Sequence, residues 1–159
     1  IWAHQQQLTA NLQQSFVRGF ISGTQPKEMT QEIVRRFGVA ERAASRLVQT
    51  ECAFFASAGD RTAYEDLGVK KYEILVTLDE HTCEICADYD GQEFPIDEYA
   101  SGDTAPPFHA DCRCTTIPVV DDDVVGADET RAARDENGHT VQVEGGISYA
   151  EWKDRYVGN

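Results

Sequence analysis

"KYEILVTLDEHTCEICADYDGQ", residues 71–92, decides how the chain is read. Its first half alternates, with Tyr72, Ile74, Val76 and Leu78 on one face and Glu73 and Thr77 on the other. That is the period of a half-buried strand. Its second half places Cys83 and Cys86 two residues apart, a spacing shared by redox pairs, disulfide frameworks and metal sites.

Upstream of this stretch, apolar residues recur at helical spacing. Leu8, Leu12, Phe16 and Phe20 stand four apart, flanked by Val17 and Ile21, and predict an amphipathic helix ending near Gly23. Met29, Ile33, Val34 and Phe37 form a shorter stripe with Gly38 as its C-cap. A third pattern begins near Ala40 and carries Ala43, Ala44, Leu47, Val48, Phe54, Phe55, Tyr64 and Leu67. Gly59 interrupts it at a propensity cost of about 1 kcal/mol. The stretch is therefore one helix to Leu67 or two with a break near 58–61.

Downstream, Asp90-Gly91 is a turn signal, "QEFPI" a short extended piece and "SGDTAPP" a loop. "CRCTTIPVV" returns to strand-forming residues, and Pro118 favours an edge position. Residues 121–137 read as an acidic linker or loop. Residues 138–159 read as a hairpin around 138–146 followed by a short helix. Ser148 and Glu151 have capping-box spacing, and Trp152 and Tyr156, four apart, predict that this helix docks.

From Cys86 the chain runs 22 residues to "HADCRC", giving C-x2-C-x22-H-x2-C-x-C. Tetrahedral zinc takes four thiolate or imidazole ligands, commonly as two close-spaced pairs. With Cys83 and Cys86 as one pair, the second comes from His109, Cys112 and Cys114. His109 with Cys114 ranks first, His109 with Cys112 next and the two cysteines last. His81, two residues before Cys83, is too close to join them. Disulfides between the clusters would use the same four cysteines and leave Cys52 free, and unmetallated thiols are the third possibility. A redox role fits poorly, because Asp79, Glu80, Glu84, Asp88 and Asp90 crowd the pair and raise thiol pKa values. Cys52, beside Phe54 and Phe55, reads as a core cysteine. The fold class that follows is α+β: a helical half, 1–72, packed on a small β-rich subregion, 73–120, stapled by structural zinc.

The formal charge of −14 is uneven. Residues 1–72 carry nine basic and seven acidic side chains, and residues 73–159 carry five and 21. The second half repels phosphate backbones, so strong nucleic-acid binding is not expected. No stretch approaches the roughly 20 apolar residues of a membrane span, so no membrane partner is expected. The odd count of five cysteines leans toward a reducing compartment. The chain starts at Ile1 with a helix under way, which reads as a piece of a longer protein.

"RLVQTE" at 46–51, the segment 66–94 and "PPFHADCRCTTIPV" at 106–119 together resemble the phage head morphogenesis family. That family includes the Mu F protein and minor capsid proteins of tailed phages of Gram-positive hosts. The resemblance covers roughly residues 25–120, and "EGGISYAEWKDRYV" is similar to the ends of such proteins. It implies a virion or procapsid component, assembled in the host cytoplasm, acting with portal or capsid proteins in head assembly or DNA ejection. The family's cysteine and histidine pattern maps onto Cys83, Cys86, His109, Cys112 and Cys114. Arg113 takes the arginine of its CRC element, and Thr50-Glu51 its T-E pair. Glu80-His81 departs from the more Asp/Arg-like pair expected there. Such domains also occur joined to toxin domains in bacterial proteins.

Around the ligands, Arg113 is expected to hydrogen-bond thiolates or pair with Asp111, or else to point outward. Glu51 is expected to anchor its helix through an arginine, or to face solvent. Pro106-Pro107 stiffens the approach to His109. No HExxH, phosphate-cradling glycine loop or serine elbow is present, and neither Glu84 nor Asp111 has a spacing that demands catalysis. The expectation is a non-enzymatic assembly protein. Its rival is a zinc-dependent hydrolase or nuclease-like effector, which needs an open metal position, a carboxylate in reach and a cleft.

Overall fold

A computed structural model describes residues 2–120 and 130–158, with side chains from residue 9 onward. Leu8 and residues 121–129 of the expected linker therefore lie outside the described side chains and residues, respectively. The chain divides into two compact units, Ile1–Cys52 and Ala53–Asn159. The boundary falls inside a helix, upstream of the change in periodicity at residue 72.

The first unit holds α1 (Trp2–Ile21), α2 (Pro26–Phe37) and the start of α3 (Glu41–Leu67). Phe16, Met29, Ile33, Ala44 and Val48 form its buried core, with Leu12, Phe20, Val34, Phe37, Leu47 and Cys52 packed around them. The four-apart stripes thus point inward as their spacing requires. Val17 and Ile21 flank the stripe on α1 and stay exposed. Pro26 opens α2 at its first turn, where its missing N–H costs nothing. Gly38 closes it in the left-handed conformation, φ 65°, with its N–H on the Val34 carbonyl.

α3 is one helix through Gly59, not two. A Cβ at Gly59 would meet nothing within 4 Å, so the glycine costs propensity without breaking the helix. Phe54 and Phe55, which continue the apolar pattern in the sequence, are both exposed and instead pack edge-to-face on each other. Leu67 is 79% exposed.

The second unit is built on a three-stranded antiparallel sheet in the order β2-β1-β3, with β1 Lys71–Leu75, β2 Glu93–Pro95 and β3 Thr115–Val119. β1 is central, and its Tyr72 and Ile74 are fully buried. The strand stops short of Val76–Leu78, though Val76 and Leu78 continue the buried face. The Val76 N–H leaves the ladder to bond Asp90 (3.1 Å), and the Leu78 carbonyl accepts from Arg134 N (2.8 Å). β3 pairs only with β1 among the described residues, which gives Pro118 its edge position. The C-terminal part of α3 packs on this sheet through hydroxyls: Tyr64 donates to the Thr116 carbonyl (3.0 Å), and Ser57 meets Tyr99 (2.9 Å).

The hairpin starts earlier than the sequence suggests. β4 (Thr130–Arg134) pairs with β5 (Thr140–Glu144), and the turn is clamped by Asp135, whose carboxylate accepts from the N–H groups of Asn137 and His139. α4 (Glu84–Tyr89) follows Cys83, and α5 (Tyr149–Tyr156) closes the described chain. Both halves of the Ser148–Glu151 capping box are present. α5 docks through Trp152 and Tyr149, both buried, while Tyr156 stays exposed, so the inward pair is three apart, not four.

Candidate metal centre

Cys83 is the N-cap residue of α4, and its carbonyl accepts the Ala87 N–H at 2.9 Å. The helical turn that follows brings Cys86 back toward it, which is the reason for the two-residue spacing. Cys86 is buried and Cys83 is exposed. The second cluster is carried on a loop pinned by an aromatic stack: Phe108 lies on Tyr89 of α4 with ring centroids 4.1 Å apart and 12° between planes. That stack sets His109 against the cysteines of α4. A tight turn, with Cys112 N on the His109 carbonyl (3.3 Å) and Asp111 at φ 69°, then redirects the chain inward. Cys112 and Cys114 are both buried, Cys114 at the threshold of β3.

All five expected donors converge. His109 Nε2 lies 3.2 Å from Cys83 Sγ and 3.1 Å from Cys86 Sγ, and Cys86 Sγ lies 3.8 Å from Cys112 Sγ. They form two sets, Cys83/Cys86/His109 and Cys86/Cys112/Cys114, with the donor atoms in each within 4.8 Å of one another. Cys86 is common to both. None of the five cysteines of the chain is disulfide-bonded. Tetrahedral zinc, with Zn–S about 2.3 Å and Zn–N about 2.0–2.1 Å, has S···S edges of about 3.8 Å and S···N edges of about 3.5 Å. The observed separations are of that size. His109 Nδ1 is 2.9 Å from the Ala110 carbonyl, which fixes the proton there and turns the lone pair of Nε2 toward the sulfurs.

The electrostatics of the cluster point the same way. A hydrogen bond from Cys114 pulls the Cys112 thiol down to about 5, while burial pushes Cys86 up to about 12. Cys114 is raised further, first by its hydrogen bond to Cys112 and then by burial. Burial works against ionising Cys83, but the Cys86 N–H and the neighbouring thiol and imidazole bring it below its ordinary value. The Ala110 carbonyl raises His109 against burial, and the sulfurs of Cys112 and Cys83 add to it. Crowded thiols sharing protons in this way are a donor set that a divalent cation can take over by displacing those protons. Soft sulfur with one imidazole suits zinc among the common ions. Cys83, Cys86, His109 and Cys114 line a small cavity of about 30 Å³, with Thr77, His81, Thr82, Asp111 and Arg113 around them.

The remaining site expectations fare differently. Arg113 turns away from the sulfurs and forks onto Asp79, with Nη2 at 2.7 Å from Oδ1 and Nη1 bonded to Oδ2. Its partner is therefore Asp79, and Asp111 is a nearby charge that acts on it. Asp79 was legible as an acidic neighbour of the cysteines, but its role as a fork acceptor had no signal in spacing. Glu51 belongs to the first unit, half-buried beside Cys52, and makes no ion pair among the described residues. Cys52 is half-buried at the edge of the first core, although Phe54 and Phe55, which suggested its burial, are exposed.

A second charged pair, not anticipated, lies at the C-terminal end of α4, where Asp90 is the cap residue. Asp90 and Arg131 are buried, with side chains 3% and 10% exposed, and bond at 2.9 Å. Asp90 also accepts the N–H groups of Val76 and Tyr149, and Arg131 donates to the carbonyls of Val76 and Ile147. This network ties the hairpin and α5 to the turn that follows the cysteine helix.

Comparison with known proteins places the chain in a family. The family model described as Phage Mu protein F like protein matches residues 10–117. An uncharacterized protein of Haemophilus influenzae Rd is 31% identical over 113 residues, covering 69% of this chain and 25% of its own. The NAD(+)--arginine ADP-ribosyltransferase EFV of Enterococcus faecalis V583 is 27% identical over 135 residues, covering 76% of this chain and 28% of its own. The chain thus spans about a quarter of the length of these relatives. No solved structure matches. The family match takes in every donor from Cys83 to Cys114, and the chain belongs to the Phage Mu protein F like family.

Proposed function

We propose that this chain is a non-catalytic assembly module of a phage head protein, a minor capsid component acting near the portal, whose second unit is stapled by one structural zinc ion. The observation that carries the metal reading is the convergence of four thiols and one correctly oriented imidazole from two distant segments. When bound, zinc supplies a cross-link between α4 and the start of β3. Cys83, Cys86 and His109 Nε2 would hold three positions, with Cys114 or Cys112 the fourth. The small cavity suits a lone ion better than an organic substrate, whose pockets run to several hundred Å³. The acidic second half argues for protein partners over nucleic acid.

The test is elemental mass spectrometry on protein purified without added metal, with free thiols counted in parallel. One zinc per chain, lost together with protection of residues 77–114 from hydrogen exchange on chelation, supports the reading. Metal-free protein with full exchange protection of that segment refutes it. The assembly role is tested by co-purification with the portal and capsid proteins of the parent phage. Absence from particles that otherwise assemble would remove it.

The E. faecalis relative favours a second reading, since it carries an enzyme's name and shares with this chain only about a quarter of its length. Here the chain is a module of an effector protein, or itself a zinc-dependent hydrolase. The hydrolase version requires an exchangeable water on the metal. Cobalt substitution separates the two, because a closed four-ligand site gives a spectrum insensitive to added anions and an open one does not.

A further inference from the structure

We infer that the Asp79–Arg113 pair is the positioning device of the metal centre, setting the spacing between the Cys83/Cys86 turn and the His109/Cys112/Cys114 segment before an ion arrives. The inference rests on the metal-binding reading above and concerns how the two ligand clusters are held. Arg113 sits between Cys112 and Cys114 and directs its fork onto Asp79, whose side chain is only 9% exposed. That carboxylate also accepts the His81 N–H (3.0 Å) and lies 3.4 Å from the Thr82 hydroxyl. His81 and Thr82 are the two residues that lead into Cys83. From the other side, the Arg113 carbonyl accepts the Thr77 hydroxyl at 3.2 Å. One residue of the second cluster is therefore tied by both side chain and backbone to the loop that delivers the first.

The loop has its own anchors, which make it a reference point and not a passenger. The Leu78 carbonyl accepts from Arg134 N (2.8 Å), and the Tyr149 hydroxyl reaches the Asp79 carbonyl (3.4 Å). A bidentate guanidinium fixes both distance and orientation, which a lysine ammonium cannot do. Groups that orient metal ligands typically affect metal affinity 10–100-fold when altered. An ion pair that merely stabilised the unit would lower folding stability and leave the affinity of the folded protein unchanged.

The experiment compares Arg113→Lys and Asp79→Asn with wild type and with Val143→Ala, which trims a buried side chain of β5, a strand that carries none of the donors. Zinc affinity is measured by competition with a chromophoric chelator, and the cobalt-loaded spectrum reports ligand geometry. The expected result is a 10–100-fold loss of affinity with an altered cobalt spectrum in both pair variants. Val143→Ala should melt at lower temperature with unchanged affinity. Arg113→Lys keeps the charge at a half-exposed position and decides the matter if Asp79→Asn does not fold. Wild-type affinity and spectrum in Arg113→Lys would overturn the inference. Failure of wild type itself to bind zinc would instead overturn the metal reading, so the two failures are distinguishable.

Discussion

Replacing Asp90 by alanine should be among the most damaging single changes in the second unit. The carboxylate accepts three bonds in the interior: Val76 N at 3.1 Å, Tyr149 N at 2.6 Å and Arg131 at 2.9 Å. Removing it leaves two backbone N–H groups unpaired, each at about 1–3 kcal/mol, and a guanidinium only 10% exposed without its counter-charge. Arg131 retains the Ile147 and Val76 carbonyls, which limits the loss. The sum falls at about 3–5 kcal/mol, the range for breaking a buried pair by removing one partner. With a urea slope of about 1.5 kcal/mol/M, the midpoint should fall by about 2–3 M. Trp152, fully buried beside Tyr149, reports the transition by fluorescence, with Trp2 changed to phenylalanine to leave a single signal. The double variant Asp90→Ala/Arg131→Met should be less destabilised than the sum of the two singles, because the stranded charge is gone. A loss below about 1 kcal/mol for Asp90→Ala would mean that water satisfies these groups, and would refute the reasoning.

Three further outcomes follow from single groups. Burial, and then the Glu93 and Asp90 carboxylates, push the Glu73 pKa up; its charge therefore opposes folding above that raised pKa, and the penalty vanishes below its unfolded value. Glu73→Gln should accordingly stabilise the protein at pH 7 and not at pH 3.5 in urea titrations, and no gain at pH 7 would contradict the burial argument. Tyr64→Phe removes the bond to the Thr116 carbonyl and should cost about 1–2 kcal/mol by the same assay, a neutral result implying that α3 does not depend on its hydroxyl contacts. In metal-free protein, iodoacetamide should modify Cys83, exposed and with a lowered pKa, before the buried and raised Cys114; peptide mapping showing the reverse order would contradict the arrangement of the cluster.

Where the pattern of side chains was set by one packing face, the sequence was enough to read it. The four-apart stripes of α1 and α2, the alternation through Leu78 and the edge proline of β3 all report a simple inside–outside division. β4 was not legible for the opposite reason. "TRAAR" has only Ala133 buried as an apolar side chain, and the Arg131 side chain is covered as a charge, so a strand that docks through one small residue reads as polar chain. Phe54 and Phe55 misled because an apolar residue on a helix signals burial only when a neighbour covers it, and these two cover each other. At the candidate metal centre the cysteines and the histidine that converge were legible from spacing, since tetrahedral ligation constrains sequence separation. Asp79 as the partner of Arg113 was not, because an ion pair across 34 residues obeys no short-range rule.

The family match stops at residue 117, yet the core of the second unit does not. Ala133, Val143, Ile147, Tyr149 and Trp152 are buried in the same cluster as Ile74, Val76, Leu78 and Cys86. A chain ended at Val120 would uncover Leu78, strip Asp90 of Arg131 and Tyr149, and free the Asp79 carbonyl from the Tyr149 hydroxyl. Trp152 alone accounts for an aromatic surface of about 150–250 Å², on the order of 4–6 kcal/mol of burial, comparable with the lower end of a domain's net stability. The 1–120 chain should therefore bind a hydrophobic dye and lose exchange protection in β1, although it contains every candidate donor and the whole matched segment. Zinc would restore order only locally, from Thr77 to Cys114, because the cross-link spans the two ligand segments and not the face that the hairpin and α5 cover. A 1–120 chain as protected in β1 as the full chain would show that the sheet and α3 suffice, and that the hairpin and α5 are an accessory layer.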